Sequence, residues 1–126
     1  MRKFVFVGAL MALAAQPALA DAHSEIVQAE THAGLAAQAA SLDGVHQHLH
    51  HALNCLVGPG GTGYDGTQMN PCANAGTGAI PDSADAAKKK ALQAAADQLT
   101  ASIAETDAAK AKQGATKAAD MLKAAE

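Results

Sequence analysis

The most informative part of the chain is a histidine-rich stretch that reads Val45-His46-Gln47-His48-Leu49-His50-His51-Ala52-Leu53-Asn54-Cys55. It holds four of the six histidines of the chain. On a helix, at about 100° per residue, its apolar side chains form one stripe. His46 and His50 lie along one edge of that stripe, and His48 and His51 lie along the other, in line with Cys55. The pattern predicts a helix that packs through its leucines, with imidazoles on both borders of the contact.

Residues 1–20 have the three parts of a secretory signal peptide. Met1-Arg2-Lys3 is a basic start, an apolar run follows, and Ala18-Leu19-Ala20 is a small-residue cleavage site. The apolar run is too short to span a bilayer as a helix. We therefore expect cleavage after Ala20, a single helical domain formed by residues 21–126, and a periplasmic or secreted location.

The chain expected after cleavage is acidic and poor in large apolar side chains. Without Arg2 and Lys3, seven lysines stand against 12 acidic residues, which gives a net charge of −5. Such a chain has no basic patch, which argues against nucleic-acid binding, and we expect no membrane span. Alanine outnumbers Leu, Ile, Val and Phe together in residues 21–126, by 28 to 14. Helices are therefore favoured, but the core is thin and benefits from a staple or a ligand.

The two cysteines of the chain are Cys55 and Cys72. In an oxidising compartment they are expected to form a disulfide, which would tie the end of the histidine-rich helix to the following loop. A loop of this length gives roughly 3 kcal/mol in the chain-entropy model. A disulfide sulfur is neither a nucleophile nor a thiolate ligand, so cysteine catalysis is not expected.

Helix signals along the chain predict an all-α fold, a small up-down four-helix bundle. The predicted helices are helix 1 from Ser24, as its cap, to Ala40; helix 2 from about Asp43, as its cap, to Val57; helix 3 from a cap at Asp82 or Ser83 to Glu105; and helix 4 from Asp107 to Ala125. The preferred turn between helices 3 and 4 is Thr106-Asp107, and the alternative is one long helix that turns only at Gly114.

Residues 58–81 predict a long glycine-rich loop between helices 2 and 3, held by the disulfide. Gly58-Pro59-Gly60-Gly61 ends helix 2. Tyr64 and Met69 are the large side chains of the loop and are expected to pack back on the bundle. Because a loop of this length in a compact domain is usually functional or mobile, an alternative function is a non-catalytic helical interaction or stress module that uses this loop.

The histidine spacing favours metal binding. His46 with His50, and His48 with His51, have the spacing at which two imidazoles on one helix chelate a single ion. His32 on helix 1 can face the cluster across the predicted hairpin. Neutral imidazole favours Cu, Zn and Ni. We therefore predict these five histidines as metal ligands, with His32 secondary, and a divalent transition metal as the cofactor. The competing interpretation is a polar helix edge whose histidines are solvated and bind no metal.

The chain offers other donors and suggests other chemistries. Extra ligands could come from Glu25, Glu30, His23 or Met69. A haem carrier would use His32, His48 or Met121 as axial ligands, but the chain lacks both a C-x-x-C-H motif and bulky pocket walls. No complete catalytic set is present, so an enzyme is not expected.

The signal peptide, the alanine-rich hairpins, Thr31-His32-Ala33 and the run His46-x-His48-Leu49-His50-His51-Ala52-Leu53 resemble the small periplasmic metal-binding proteins of bacteria. The resemblance covers mainly helices 1 and 2. It implies a histidine-rich four-helix bundle that binds several divalent cations, copper especially, for buffering or scavenging. Because predicted helices 3 and 4 carry no histidine and the disulfide-tied loop is an addition, it implies one or two sites near helix 2.

Overall fold

A computed structural model describes residues 21–126, and the predicted signal peptide lies outside the described residues. Within this range the protein is all-helical, with five helices and no strands. The helices are α1 (Ala22–Gln38), α2 (Leu42–Val57), α3 (Ala79–Asp82), α4 (Ala86–Ile103) and α5 (Ala108–Ala124). The all-α prediction is confirmed. The one-turn helix α3 was not predicted and lies where the end of the long loop was expected.

The first two helices begin earlier than predicted because a different residue caps each of them. The Asp21 side chain accepts a hydrogen bond from the Ser24 N–H, so Ser24 lies inside α1 rather than at its cap. The Ser41 side chain accepts from the Gly44 N–H, which places Asp43 in the first turn of α2. In both cases two good capping residues stand close together, and the earlier one is used.

The start of α4 was also predicted too early. Its cap is Asp85, whose carboxylate accepts from the Lys88 N–H, whereas Asp82 ends α3. The cap of α5 is Asp107, as expected, so the turn predicted at Thr106-Asp107 is confirmed. The alternative turn at Gly114 is wrong, because Gly114 lies inside α5. A Cβ at this position would collide with the Ser102 side chain, so the glycine lets α4 and α5 approach closely.

The four longer helices share one core of alanines and leucines. α1 packs against α2 and α5, and α4 packs against the same two helices. α1 and α5 contribute mainly buried alanines, whereas α2 and α4 contribute buried leucines. Alanine side chains are short, so the helices that carry them can lie close together. Side chains at the edges of these helix–helix contacts can therefore reach side chains on the facing helix.

The loop after α2 is attached to the bundle by a disulfide and by Asn54. Cys55 and Cys72 are bonded, as predicted. The buried Asn54 side chain donates to the carbonyl oxygens of Asp65 and Met69, at 3.0 and 3.1 Å, and accepts from the Asp65 N–H at 2.9 Å. Its role was not predicted, although a polar residue within an apolar helix stripe is the signal that could have revealed it.

The two large side chains of the loop behave differently. Tyr64 packs against the core, as predicted. Met69 is 61 % exposed, so the prediction that its side chain packs on the bundle is wrong. Its backbone carbonyl, held by Asn54, makes the contact instead. Among residues 21–126, no helix combines the length and the apolar character that a membrane crossing needs.

Candidate metal centre

Three histidines from two helices meet at the border between α1 and α2. His32 comes from α1, and His48 and His51 come from α2. Each offers a ring nitrogen, and these nitrogens all lie within 4.8 Å of one another. The Nδ1 atoms of His32 and His48 are 3.3 Å apart. We refer to these residues as the histidine triad. Its three nitrogens are close enough to one another to bind a single metal ion.

Local sequence explains why the triad assembles. His48 and His51 are three residues apart, so they project from the same face of α2. The short link between Gln38 and Leu42 brings α1 back along α2. Next to His32, Ala33 is fully buried, so the α1 backbone lies close to α2 at this level. The His32 and His51 rings then meet edge to face, with centroids 5.1 Å apart.

The most buried member of the triad has an unsatisfied nitrogen. His51 is 3 % exposed, and its Nδ1 has no hydrogen-bond partner among the described residues. A buried polar atom without a partner costs free energy, so native structures rarely keep one without a reason, such as a bound ion. Glu25 Oε2 and His50 Nδ1 are in the same state, so the unpaired nitrogen of His51 agrees with metal binding but does not by itself single out the triad.

Burial favours the uncharged form of two members of the triad. Together with the neighbouring His51 and His48, it lowers the pKa of His32 to about 4. Burial also lowers the pKa of His51, and the neighbouring His48 and His50 add smaller decreases. Two histidines of the triad are therefore neutral near pH 7, and neutral imidazole is the form that binds a metal.

The other two predicted ligands lie on the opposite edge of α2, as the helix pattern predicted, and do not join the triad. The Nε2 of His46 is 2.8 Å from the carbonyl oxygen of Glu105, to which it donates. The Nδ1 of His50 is 3.7 Å from a carboxylate oxygen of Asp65. Hydrogen bonds from Thr67 lower the pKa of Asp65, so this carboxylate stays charged. His46 thus connects α2 to the α4–α5 turn by a hydrogen bond, whereas His50 lies beside the Asp65 carboxylate of the loop and its Nδ1 makes no hydrogen bond among the described residues.

Two of the extra donors suggested by the sequence, Glu25 and His23, lie outside the triad. Glu25 is fully buried, and its Oε1 accepts from the Gly78 N–H at 2.9 Å. His23 is exposed in the first turn of α1. The triad contains only residues that the sequence pattern had indicated, so no member of it was missed.

Comparisons of the chain with protein-family models, with curated proteins and with solved structures found no match. The resemblance to small periplasmic metal-binding proteins therefore stays a hypothesis, and the function has to be argued from the site.

Proposed function

We propose that this protein is exported to the periplasm and binds one transition-metal ion in the histidine triad, which it buffers or scavenges. The observation that carries the proposal is the convergence of three imidazoles from two helices, with their ring nitrogens within 4.8 Å of one another. The signal peptide predicted from residues 1–20 and the disulfide support this proposal of export, because disulfides persist in oxidising compartments. We also propose that the four longer helices form an up-down bundle that holds the two ligand-bearing helices in place.

One nitrogen–nitrogen separation within the triad matches the geometry of Zn²⁺ better than that of the other candidate metals, Cu and Ni. A tetrahedral ion with metal–nitrogen bonds of about 2.0–2.1 Å separates two ligand nitrogens by about 3.3–3.4 Å. The Nδ1 atoms of His32 and His48 are 3.3 Å apart. Neighbouring nitrogens of a square-planar Cu²⁺ or Ni²⁺ site would lie closer together, at about 2.9 Å with bonds of this length.

The number of ligands supports buffering rather than a structural role. The candidate group consists of three residues, whereas structural zinc sites are closed by four protein ligands. A tetrahedral ion held by three imidazoles takes its fourth ligand from water or from a small molecule. Such an ion can be exchanged with other ligands, which a buffering or scavenging protein requires.

Calorimetric titration of the disulfide-intact protein, residues 21–126, tests the proposal. We expect one equivalent of Zn²⁺ to bind near neutral pH. His48→Ala and His51→Ala should each weaken binding by about 100-fold or more, because even outer-shell partners of a metal contribute 10–100-fold. His46→Ala is the matched control, since it removes an imidazole from the other edge of the same helix. Absence of heat with Zn²⁺, Cu²⁺ and Ni²⁺, or equal losses in all three variants, would contradict the proposal.

A second candidate function, a non-catalytic interaction module that uses the loop, is favoured by one observation. A cavity of about 590 Å³ lies between the loop and α4 and includes Val57, Ile80 and Pro81 in its walls. Deleting residues 60–70 should abolish partner capture if this function is correct, whereas replacing the triad histidines should not. For a haem carrier no such observation exists, because neither this cavity nor its smaller neighbour is lined by histidine.

A further inference from the structure

We infer a second metal site, separate from the triad, at the amino terminus that cleavage after Ala20 would create. The site consists of Asp21-Ala22-His23 and takes Cu²⁺ or Ni²⁺. The inference rests on the export proposed above, because it needs the α-amine of Asp21 to be free. It does not depend on metal binding by the triad.

The site follows from the position of a histidine as the third residue of the cleaved chain. Four nitrogens are then available in sequence: the α-amine of Asp21, the backbone nitrogens of Ala22 and His23, and Nδ1 of the His23 ring. Binding one ion closes two five-membered chelate rings and one six-membered ring. All four nitrogens can lie in one plane, and square-planar coordination by nitrogen is the geometry that Cu²⁺ and Ni²⁺ prefer. Zn²⁺ prefers a tetrahedral site and is not expected to bind here.

Binding releases protons and leaves no net charge on the chelate. The metal replaces the hydrogens of the two backbone N–H groups, which leave as protons together with any proton on the α-amine. The two deprotonated backbone nitrogens offset the double positive charge of the ion. The α-amine has an ordinary pKa of about 7.7–8.0, so binding strengthens as pH rises through the neutral range.

The structure shows which contacts at the start of α1 the chelate would replace. His23 is exposed, and Ala22 and His23 are the first two residues of α1. The earliest N–H groups of a helix have no acceptor within the helix, and the first helical bond here runs from the Glu25 N–H to the Asp21 carbonyl. Chelation would break that bond, the Asp21 cap on Ser24, and the 3.0 Å bond from Asp21 N to the Ala75 carbonyl.

The new site and the triad cannot share one ion. His23 and His32 are nine residues apart on the same helix, which corresponds to roughly 13–14 Å along its axis. The two sites also differ in chemistry, since one offers three imidazoles and the other a planar set of four different nitrogens. The protein would therefore hold Zn²⁺ and Cu²⁺ at different places.

The test uses protein exported with its own leader and purified from the periplasm. Its intact mass should correspond to a chain that begins at Asp21. Addition of Cu²⁺ should give the electron paramagnetic resonance spectrum of a square-planar copper site with four nitrogen ligands, and Ni²⁺ should give the yellow colour of a square-planar nickel site. Each metal should bind in one equivalent with these signatures.

Two variants separate this site from the triad. A single alanine added before Asp21 leaves every folded residue in place but moves His23 to the fourth position, where the planar chelate cannot close. His23→Gln removes the imidazole. Both should lose one equivalent of Cu²⁺ and Ni²⁺ together with the four-nitrogen signatures, and both should keep Zn²⁺ binding by the triad. A mature chain that begins at another residue would overturn the inference, and so would an extended variant that keeps the four-nitrogen copper spectrum.

Discussion

Two ionisable side chains of α1 lie in regions of opposite character, the Glu25 region near the start of the helix and the His32 region at the histidine triad. Glu25 is fully buried, and its carboxylate accepts from the Gly78 backbone N–H. Burial raises its pKa to about 7, although the hydrogen bond from Gly78 opposes this shift, and the nearby charge of Asp82 adds to it. The partly buried His32, two turns later, lies against the rings of His48 and His51, and burial lowers its pKa to about 4.

This difference separates a structural polar group from a candidate ligand. At Glu25 the chain supplies a backbone donor, the Gly78 N–H, to Oε1, while Oε2 has no hydrogen-bond partner among the described residues. Thr77 donates to the neighbouring Asp82 through both its N–H and its hydroxyl. These contacts attach the segment before α3 to α1. The triad instead brings three imidazoles together, with ring nitrogens within 4.8 Å of one another. We therefore propose that the Glu25 region contributes to stability and that the His32 region binds metal.

The largest expected effect comes from truncating one residue of the Glu25 region and one residue of the triad. Glu25→Ala should lower the free energy of unfolding by about 2–4 kcal/mol, because it leaves a cavity and an unpaired buried N–H at Gly78. His48→Ala should change the stability of the metal-free protein by less than about 1 kcal/mol, since this partly buried ring lies outside the apolar core. Urea denaturation of both variants measures the two values. Equal losses of unfolding free energy in the two variants would contradict the distinction between the Glu25 region and the triad.

A smaller effect should appear in the pH dependence of stability. The pKa of Glu25 is raised from its ordinary value of 4.5 to about 7. The folded protein therefore binds this proton more tightly, and the contribution of Glu25 to stability is full below pH 4.5 and is lost as pH rises through 7. The pKa of His32 is lowered from 6.5 to about 4. Its contribution is full above pH 6.5 and is lost as pH falls towards 4.

Matched variants separate these two trends. Compared with the parent protein, Glu25→Gln should flatten the fall in stability between pH 5 and 8. His32→Ala should flatten the fall between pH 6 and 4 in metal-free protein. Melting temperatures measured across this pH range check both outcomes, and a profile unchanged by either substitution would show that the buried groups do not titrate as described.

The smallest expected effect comes from substituting two glycines, Gly76 in the Glu25 region and Gly34 in the His32 region. A Cβ at Gly76 would meet the carboxylates of Asp82 and Glu25, whereas a Cβ at Gly34 on α1 meets nothing within 4 Å. Gly76→Ala should therefore destabilise the protein by about 1–2 kcal/mol. Gly34→Ala should stabilise it by about 0.5–1 kcal/mol, because alanine is the better helix former. Thermal unfolding of both variants would show whether the Glu25 region is packed more tightly than the His32 region. A Gly76→Ala protein as stable as its parent would show that the Glu25 region is not tightly packed.

Sequence patterns predicted the parts of the candidate site that depend on one helix. The spacing within 46–51 correctly placed His48 and His51 on one edge of α2 and His46 and His50 on the other. It could not show which edge would meet α1, because that depends on how two helices pack. His32 was correctly expected to face the cluster. The roles of Asn54 and Glu25 were not predicted, since their partners lie in a loop that has no periodic pattern.

By itself, the sequence determined the helical class, the turn at Thr106-Asp107 and the pairing of Cys55 with Cys72. These features depend on local signals, or on there being two cysteines. Only the tertiary structure decided that three histidines converge while two lie against other segments, and that Glu25 is used for stability. The reason is physical: distances between side chains on different helices depend on how closely the backbones approach, and buried alanines set that approach here.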